Sequence, residues 1–93
     1  MRRIERTNTF ERDYKRVKAT PEHRDIDLRL SEVLKLLAAD IPLPRNLYDH
    51  PLTGDWNDHR DCHIKPDLLL IYRKPDTRVL QLVRLGSHSE LGL

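Results

Sequence analysis

The chain has 93 residues, 38% of them hydrophobic and 34% charged, with a formal net charge of +2. That length suits one small domain over residues 1–93 and leaves no room for a second module, and so small a charge excess excludes a polybasic nucleic-acid tail. The single cysteine, Cys62, excludes an internal disulfide, no apolar run is long enough to span a membrane, and the charged start MRRIERTNTF has no apolar signal core, so the expected location is a reducing cytoplasm.

In chain order, Arg2–Thr7 is charged and β-permissive and is expected as an edge strand. Thr7, Asn8 or Thr9 would cap a first helix, in which Phe10, Tyr14 and Val17 recur at i, i+4 and i+7 until Pro21 ends it. The basic residues Arg2, Arg3, Arg6, Arg12, Lys15, Arg16 and Lys18 form either a solvated helix face or a surface for RNA phosphates. A second helix carries Ile26, Leu30, Val33, Leu34 and Leu37 on one stripe and stops at Asp40 and the IPLP that follows. Residues 42–58, with three prolines and a glycine among polar residues, read as loop. Three strands follow, Arg60–Ile64, Leu68–Tyr72 and Arg78–Leu85, separated by turn-forming KPD and KPDT. The result is an α+β domain, β-α-α-β-β-β, with a helical hairpin packed on one face of an antiparallel sheet and the other face open.

The stretch DHPLTGDWNDHRDCHIKPD (49–67) concentrates three of the five histidines, five aspartates, the only tryptophan and the only cysteine. Alternation along Arg60–Ile64 puts Cys62 and Ile64 toward the core and Asp61 and His63 on the opposite face, with Asp67 near His63 across the turn. Asp61 beside Arg60 reads as a local ion pair, and Trp56, Tyr48 and Tyr72 as packing aromatics rather than base-stacking surfaces. His59 and His23 read as solvated. His50, His59, His63, Asp67 and His88 include legitimate zinc ligands, but His59 and His63 do not share a helix face and there is no CxxC or HExxH motif, so no metal is expected.

The pattern YDHPLTGDW…RDCHIKPDLLLIYR…LVRLGSHSEL resembles the YafQ branch of the RelE/ParE superfamily over most of the chain. That resemblance implies a RelE-like fold and a bacterial toxin that enters the 30S ribosomal A site and cuts mRNA there. A ribose 2′-hydroxyl would attack the adjacent phosphorus to leave a 2′,3′-cyclic phosphate, with no cofactor. It implies a cognate antitoxin and a hetero-oligomeric complex with it. His50, His63, Asp67 and His88 match the functional positions, with Arg84 as a phosphate contact. The sequence departs from the pattern at Gly92, where an aromatic is common four places after the last histidine.

Histidine suits either proton role because its unperturbed pKa of about 6.5 lies near working pH. The resulting assignment makes His88 the general acid and Asp67 the general base. His50 and His63 position ribose and phosphate, and either is able to exchange roles with Asp67. Arg84 faces the phosphorane, and Arg60 and Lys65 hold flanking phosphates. The alternative is a non-cleaving binding protein of the same fold, a ParE-like gyrase inhibitor or an inactive relic. The histidine set argues for cleavage, and Gly92 argues against it.

Overall fold

The computed structural model describes residues 1–93. Strand β1 (Arg3–Arg6) leads into α1 (Asn8–Ala19), and α2 (Ile26–Ala38) follows a short 3-10 turn at Pro21–His23. Then come β2 (His50–Pro51), β3 (Arg60–Lys65), β4 (Leu68–Arg73), β5 (Val79–Gly86) and a four-residue helix α3 (His88–Leu91). The sheet order is β1-β5-β4-β3-β2.

Local chemistry accounts for the element ends. The Thr7 side chain accepts the Phe10 N–H at 3.0 Å to cap α1, while its hydroxyl donates to the Val83 carbonyl of β5 at 2.9 Å. Helix α2 stops at Ala38, and Asp40 follows with φ 57°, accepting hydrogen bonds from Arg2 and Lys74 that hold its carboxyl down to about 2. The expected α2 stripe is the observed one: Ile26, Leu30, Val33, Leu34 and Leu37 are all buried. With Phe10 and Val17 they pack on Cys62, Ile64, Leu70, Tyr72, Leu80, Leu82 and Leu85. Burial pushes the Cys62 thiol up, so it is an inert core residue.

Four features differ from the sequence reading. β1 is an edge strand, but it runs parallel to β5, so the sheet is mixed rather than antiparallel throughout. The loop expected over 42–58 contains β2, whose His50 and Pro51 pair with Asp61 and Arg60 of β3. A register shift opposite Ile71 and Tyr72 makes Val83 an extra residue in β5. The bulge changes the alternation, so Leu80, Leu82 and Leu85 all reach the main core, whereas strict alternation separates Leu82 from Leu85. Finally, the face away from α1 and α2 is not fully open. Leu69 and Ile71 are covered there by Leu91 of α3, with Leu52, Trp56 and Val83 packed around them. Trp56 anchors the long loop, as expected.

Candidate active site

The β3–β4 hairpin sets the geometry. A bulge between His63 and Lys65 lets the Pro66–Asp67 turn swing Asp67 toward the start of α3. There Asp67 Oδ1 accepts both the backbone N–H of His88 at 3.0 Å and its ring Nδ1 at 2.6 Å. These two bonds, the backbone one foremost, hold the Asp67 carboxyl below the ordinary carboxylate range. An ionised carboxylate only accepts, so Nδ1 carries the proton and Nε2 of His88 is left without a protein partner.

Helix α3 is held by a capping box: Ser87 Oγ accepts the Glu90 N–H, and Glu90 accepts the Ser87 N–H at 2.9 Å. Glu90 also pairs with Arg16 Nε at 3.0 Å, and Arg16 donates to Asp13 and to the Leu85 carbonyl. Gly86 lets this network close, since a Cβ there would stand 3.0 Å from both Arg16 Nη2 and Glu90 Oε1. Through these contacts α1 fixes the helix that carries His88.

His50 sits on β2 directly opposite Asp61. Its Nδ1 lies 2.6 Å from the Tyr48 carbonyl, which only accepts, so Nδ1 again carries the proton and Nε2 is free. His63 lies between Tyr48 and His88, with ring centroids 5.3 Å from each. His63, His88 and Asp67 therefore lie together, with His50 linked to them through Tyr48 and Asp61.

The cations placed beside them are each engaged by other protein groups. Arg60 points to the opposite face of β3 and gives its Nε to Asp49 at 3.1 Å, where Tyr72 also donates at 2.6 Å. The Lys65 ammonium is taken by the Glu22 carbonyl and by Asp25 at 2.6 Å. Arg84 is committed to α1: its Nε and Nη2 donate to Asp13 at 2.7 and 3.3 Å, leaving Nη1 without a protein partner. In the N-terminal basic cluster, Arg2, Arg3, Arg6, Arg16 and Lys18 all pair with carboxylates, while Arg12 and Lys15 do not. His59 packs edge-on against Trp56, away from the chemistry.

Asp61 is the residue most misread from sequence. It does not pair with Arg60, because adjacent strand residues point to opposite faces. It is buried at 2% exposure beneath the histidines. Its Oδ1 lies 3.1 Å from His50 Nδ1 yet makes no hydrogen bond, since that N–H is aimed at Tyr48. Burial raises its carboxyl pKa, opposed by the nearby His50, His63 and His88. A carboxyl whose folded pKa exceeds its unfolded one loses stability as pH rises from the unfolded value of about 3.9 through the folded one. That cost is carried at neutral pH. Asp61→Asn is therefore expected to raise the melting temperature at pH 7, by more than at pH 4. A lower melting temperature at pH 7 would show that the ionised carboxylate is instead well satisfied.

Tyr48 is the second residue missed. The sequence reading made it a packing aromatic, but it is 66% exposed, and it adopts the left-handed backbone (φ 50°, ψ 43°) that non-glycine residues seldom take. The Leu-Tyr-Asp sequence carries no signal for either property.

No helix is long and apolar enough to cross a membrane. No three His, Cys, Asp or Glu side chains form a group able to hold a metal ion. The family described as bacterial toxin of type II toxin–antitoxin system, YafQ, matches residues 2–92. The mRNA interferase toxin YafQ of Escherichia coli K12 is 37% identical over 91 residues, 97% of this chain and 95% of that protein. Among solved structures, YafQ in the E. coli DinJ–YafQ complex superposes with a TM-score of 0.82 at 35% identity, covering 98% of both chains. A metal-bound toxin from Helicobacter pylori superposes with a TM-score of 0.82 at 42% identity, covering 98% of this chain and 99% of that one.

Proposed function

The chain belongs to the YafQ family of bacterial toxins of type II toxin–antitoxin systems, and from that premise we propose that it is an mRNA interferase, an endoribonuclease that cuts mRNA in the ribosomal A site and is neutralised by a cognate antitoxin. The reading of residues 1–93 as one toxin domain goes with it. The observation that carries the mechanism is the pairing of His88 with Asp67 beside two further imidazoles, each of His88 and His50 presenting a free Nε2.

The geometry favours a shift of roles relative to the sequence assignment. Asp67 gives both of its short contacts to His88, and these hold its carboxyl below the ordinary carboxylate range, which makes it a weak base. Its better use is to fix the tautomer of His88 and to balance the ring's charge while Nε2–H is delivered to the departing 5′-oxygen. The base for the 2′-hydroxyl is then His50, whose Nδ1–H is fixed on the Tyr48 carbonyl and whose Nε2 lone pair is free. His63, between Tyr48 and His88, holds the ribose or phosphate. Arg84 meets the phosphorane through Nη1, its guanidinium plane set by Asp13. Arg60 and Lys65, each held by a carboxylate, are left for backbone contacts outside the scissile position.

The test uses ribosomes programmed with a short mRNA, an occupied P site and an empty A site, with naked mRNA and an EDTA arm alongside. The expected result is A-site cleavage leaving a 2′,3′-cyclic phosphate, indifferent to EDTA. Cleavage lost to EDTA on intact ribosomes would replace this mechanism with a metal-dependent one. No cleavage at any codon by folded protein would favour the binding-protein alternative.

A further inference from the structure

An RNA cut at a defined phosphodiester needs its bases held as well as its phosphate, and flat aromatic surfaces are the usual means. Five aromatic residues are available here. Phe10 and Tyr72 lie in the main core, Tyr14 packs against Phe10, and Trp56 packs against the Leu69, Ile71 and Leu91 cluster. Beyond His88 the chain continues Ser-Glu-Leu-Gly-Leu and offers no ring. Gly92 is the left-handed C-cap of α3 at φ 73°, so a ring placed there would meet an unfavourable backbone. Only Tyr48 remains.

Tyr48 is built as a surface rather than as a packing residue. The residue is 66% exposed, and its hydroxyl makes no protein hydrogen bond. Its backbone is held left-handed at the end of the Arg45–Leu47 turn, where its carbonyl takes the His50 Nδ1–H. The ring stands 5.3 Å from that of His63, tilted by 51°. Both rings line an open cleft of about 430 Å³, with Asn46, Lys65 and Pro66 on its other walls. A residue strained in this way persists where its surroundings determine it, and such strain concentrates at functional sites.

We propose that Tyr48 is the base-stacking platform of this enzyme, holding a nucleobase adjacent to the cleaved phosphate against its ring in the cleft it shares with His63. The proposal rests on the ribonuclease reading above. It gives Tyr48 two parts: its carbonyl orients His50, and its ring binds substrate.

The two parts separate on substitution, because a side-chain change leaves the carbonyl in place. Tyr48→Asn removes the ring and suits left-handed backbone. Tyr48→Leu removes the ring but retains apolar bulk against His63, and Tyr48→Phe retains the ring. Cleavage rates are measured for these variants and the unaltered protein on programmed ribosomes as a function of toxin concentration and pH. Tyr48→Asn and Tyr48→Leu are expected to lose about 5- to 150-fold in kcat/KM, the range of one base–aromatic stack, with the pH profile unchanged and rescue by Tyr48→Phe. Full activity in the Leu variant, or in the Asn variant, would overturn the platform while leaving the ribonuclease reading intact. A displaced pH profile in Tyr48→Asn would also overturn it, in favour of a residue that only orients the imidazoles. Absence of cleavage by the unaltered protein would sink the ribonuclease reading first and this inference with it. If Tyr48→Asn does not fold, the Leu and Phe pair decides alone.

Discussion

His88→Ala is expected to lower the proposed A-site cleavage by about 10²–10⁴-fold, the usual contribution of a positioned acid–base group. The melting temperature should stay within a few degrees of the unaltered protein. The side chain is nearly half exposed and packs no core, and the backbone N–H that binds Asp67 survives the change. Helix α3 also keeps its capping box and its Leu91 anchor. The comparison that gives the result meaning is His59→Ala, because His59 touches Trp56 and the Asn57 carbonyl but none of the clustered imidazoles. Cleavage should survive that change. Equal losses in the two variants would show that histidine content in this region matters only for folding, and full cleavage by His88→Ala would remove the general acid from the mechanism. Asp67→Asn should fall between the extremes. An amide on His88 Nδ1 still orients the ring when it accepts through its oxygen but no longer balances its charge.

The parts of this site that were legible in the sequence were those governed by local periodicity. The α2 stripe needed only spacing, and the outward face of His63 followed from Cys62 and Ile64 pointing inward on the same strand. Contacts between distant residues were not legible. Asp67 was expected near His63, four positions away, but its short partner is His88, 21 residues on, because a bulge in β3 turns the hairpin head toward α3. The Val83 bulge shifted the phase of β5 in the same way. Other signals are local and stand in the sequence itself. Ser87-x-x-Glu90 is a capping-box sequence that announces α3. Phe10, Asp13 and Val17 fall at i, i+3 and i+7, which places Asp13 on the buried face of α1 although its type suggests solvent.

Asp13 is where that buried position has its largest consequence. It is 2% exposed and accepts from Arg84 Nε at 2.7 Å, Arg16 Nη1 at 2.8 Å and the Leu85 N–H at 3.0 Å. Burial alone would raise its carboxyl pKa, but these hydrogen bonds outweigh burial and hold it below the ordinary value. Asp13→Ala leaves the Arg84 guanidinium and the Leu85 N–H without their acceptor, while Arg16 keeps Glu90 and the Leu85 carbonyl, and removing one partner of a buried ion pair costs about 3–5 kcal/mol. In a domain of this size that is a fall in melting temperature of roughly 15 °C or more. Asp13→Asn, which keeps an acceptor but not the charge, should lose less. The pH dependence separates lost charge from lost packing. A carboxyl with a depressed folded pKa contributes stability above its unfolded value of about 3.9, and that contribution disappears as pH falls through the folded value. The gap between the unaltered protein and Asp13→Asn should therefore be widest near neutrality and should close below pH 4. A gap that does not change with pH would mean that Asp13 contributes shape rather than charge. Because the same carboxylate sets Arg84 and, through Arg16 and Glu90, the helix bearing His88, cleavage by folded Asp13→Asn should fall chiefly in kcat. Activity retained in a folded but destabilised variant would confine Asp13 to the core and cut its link to catalysis.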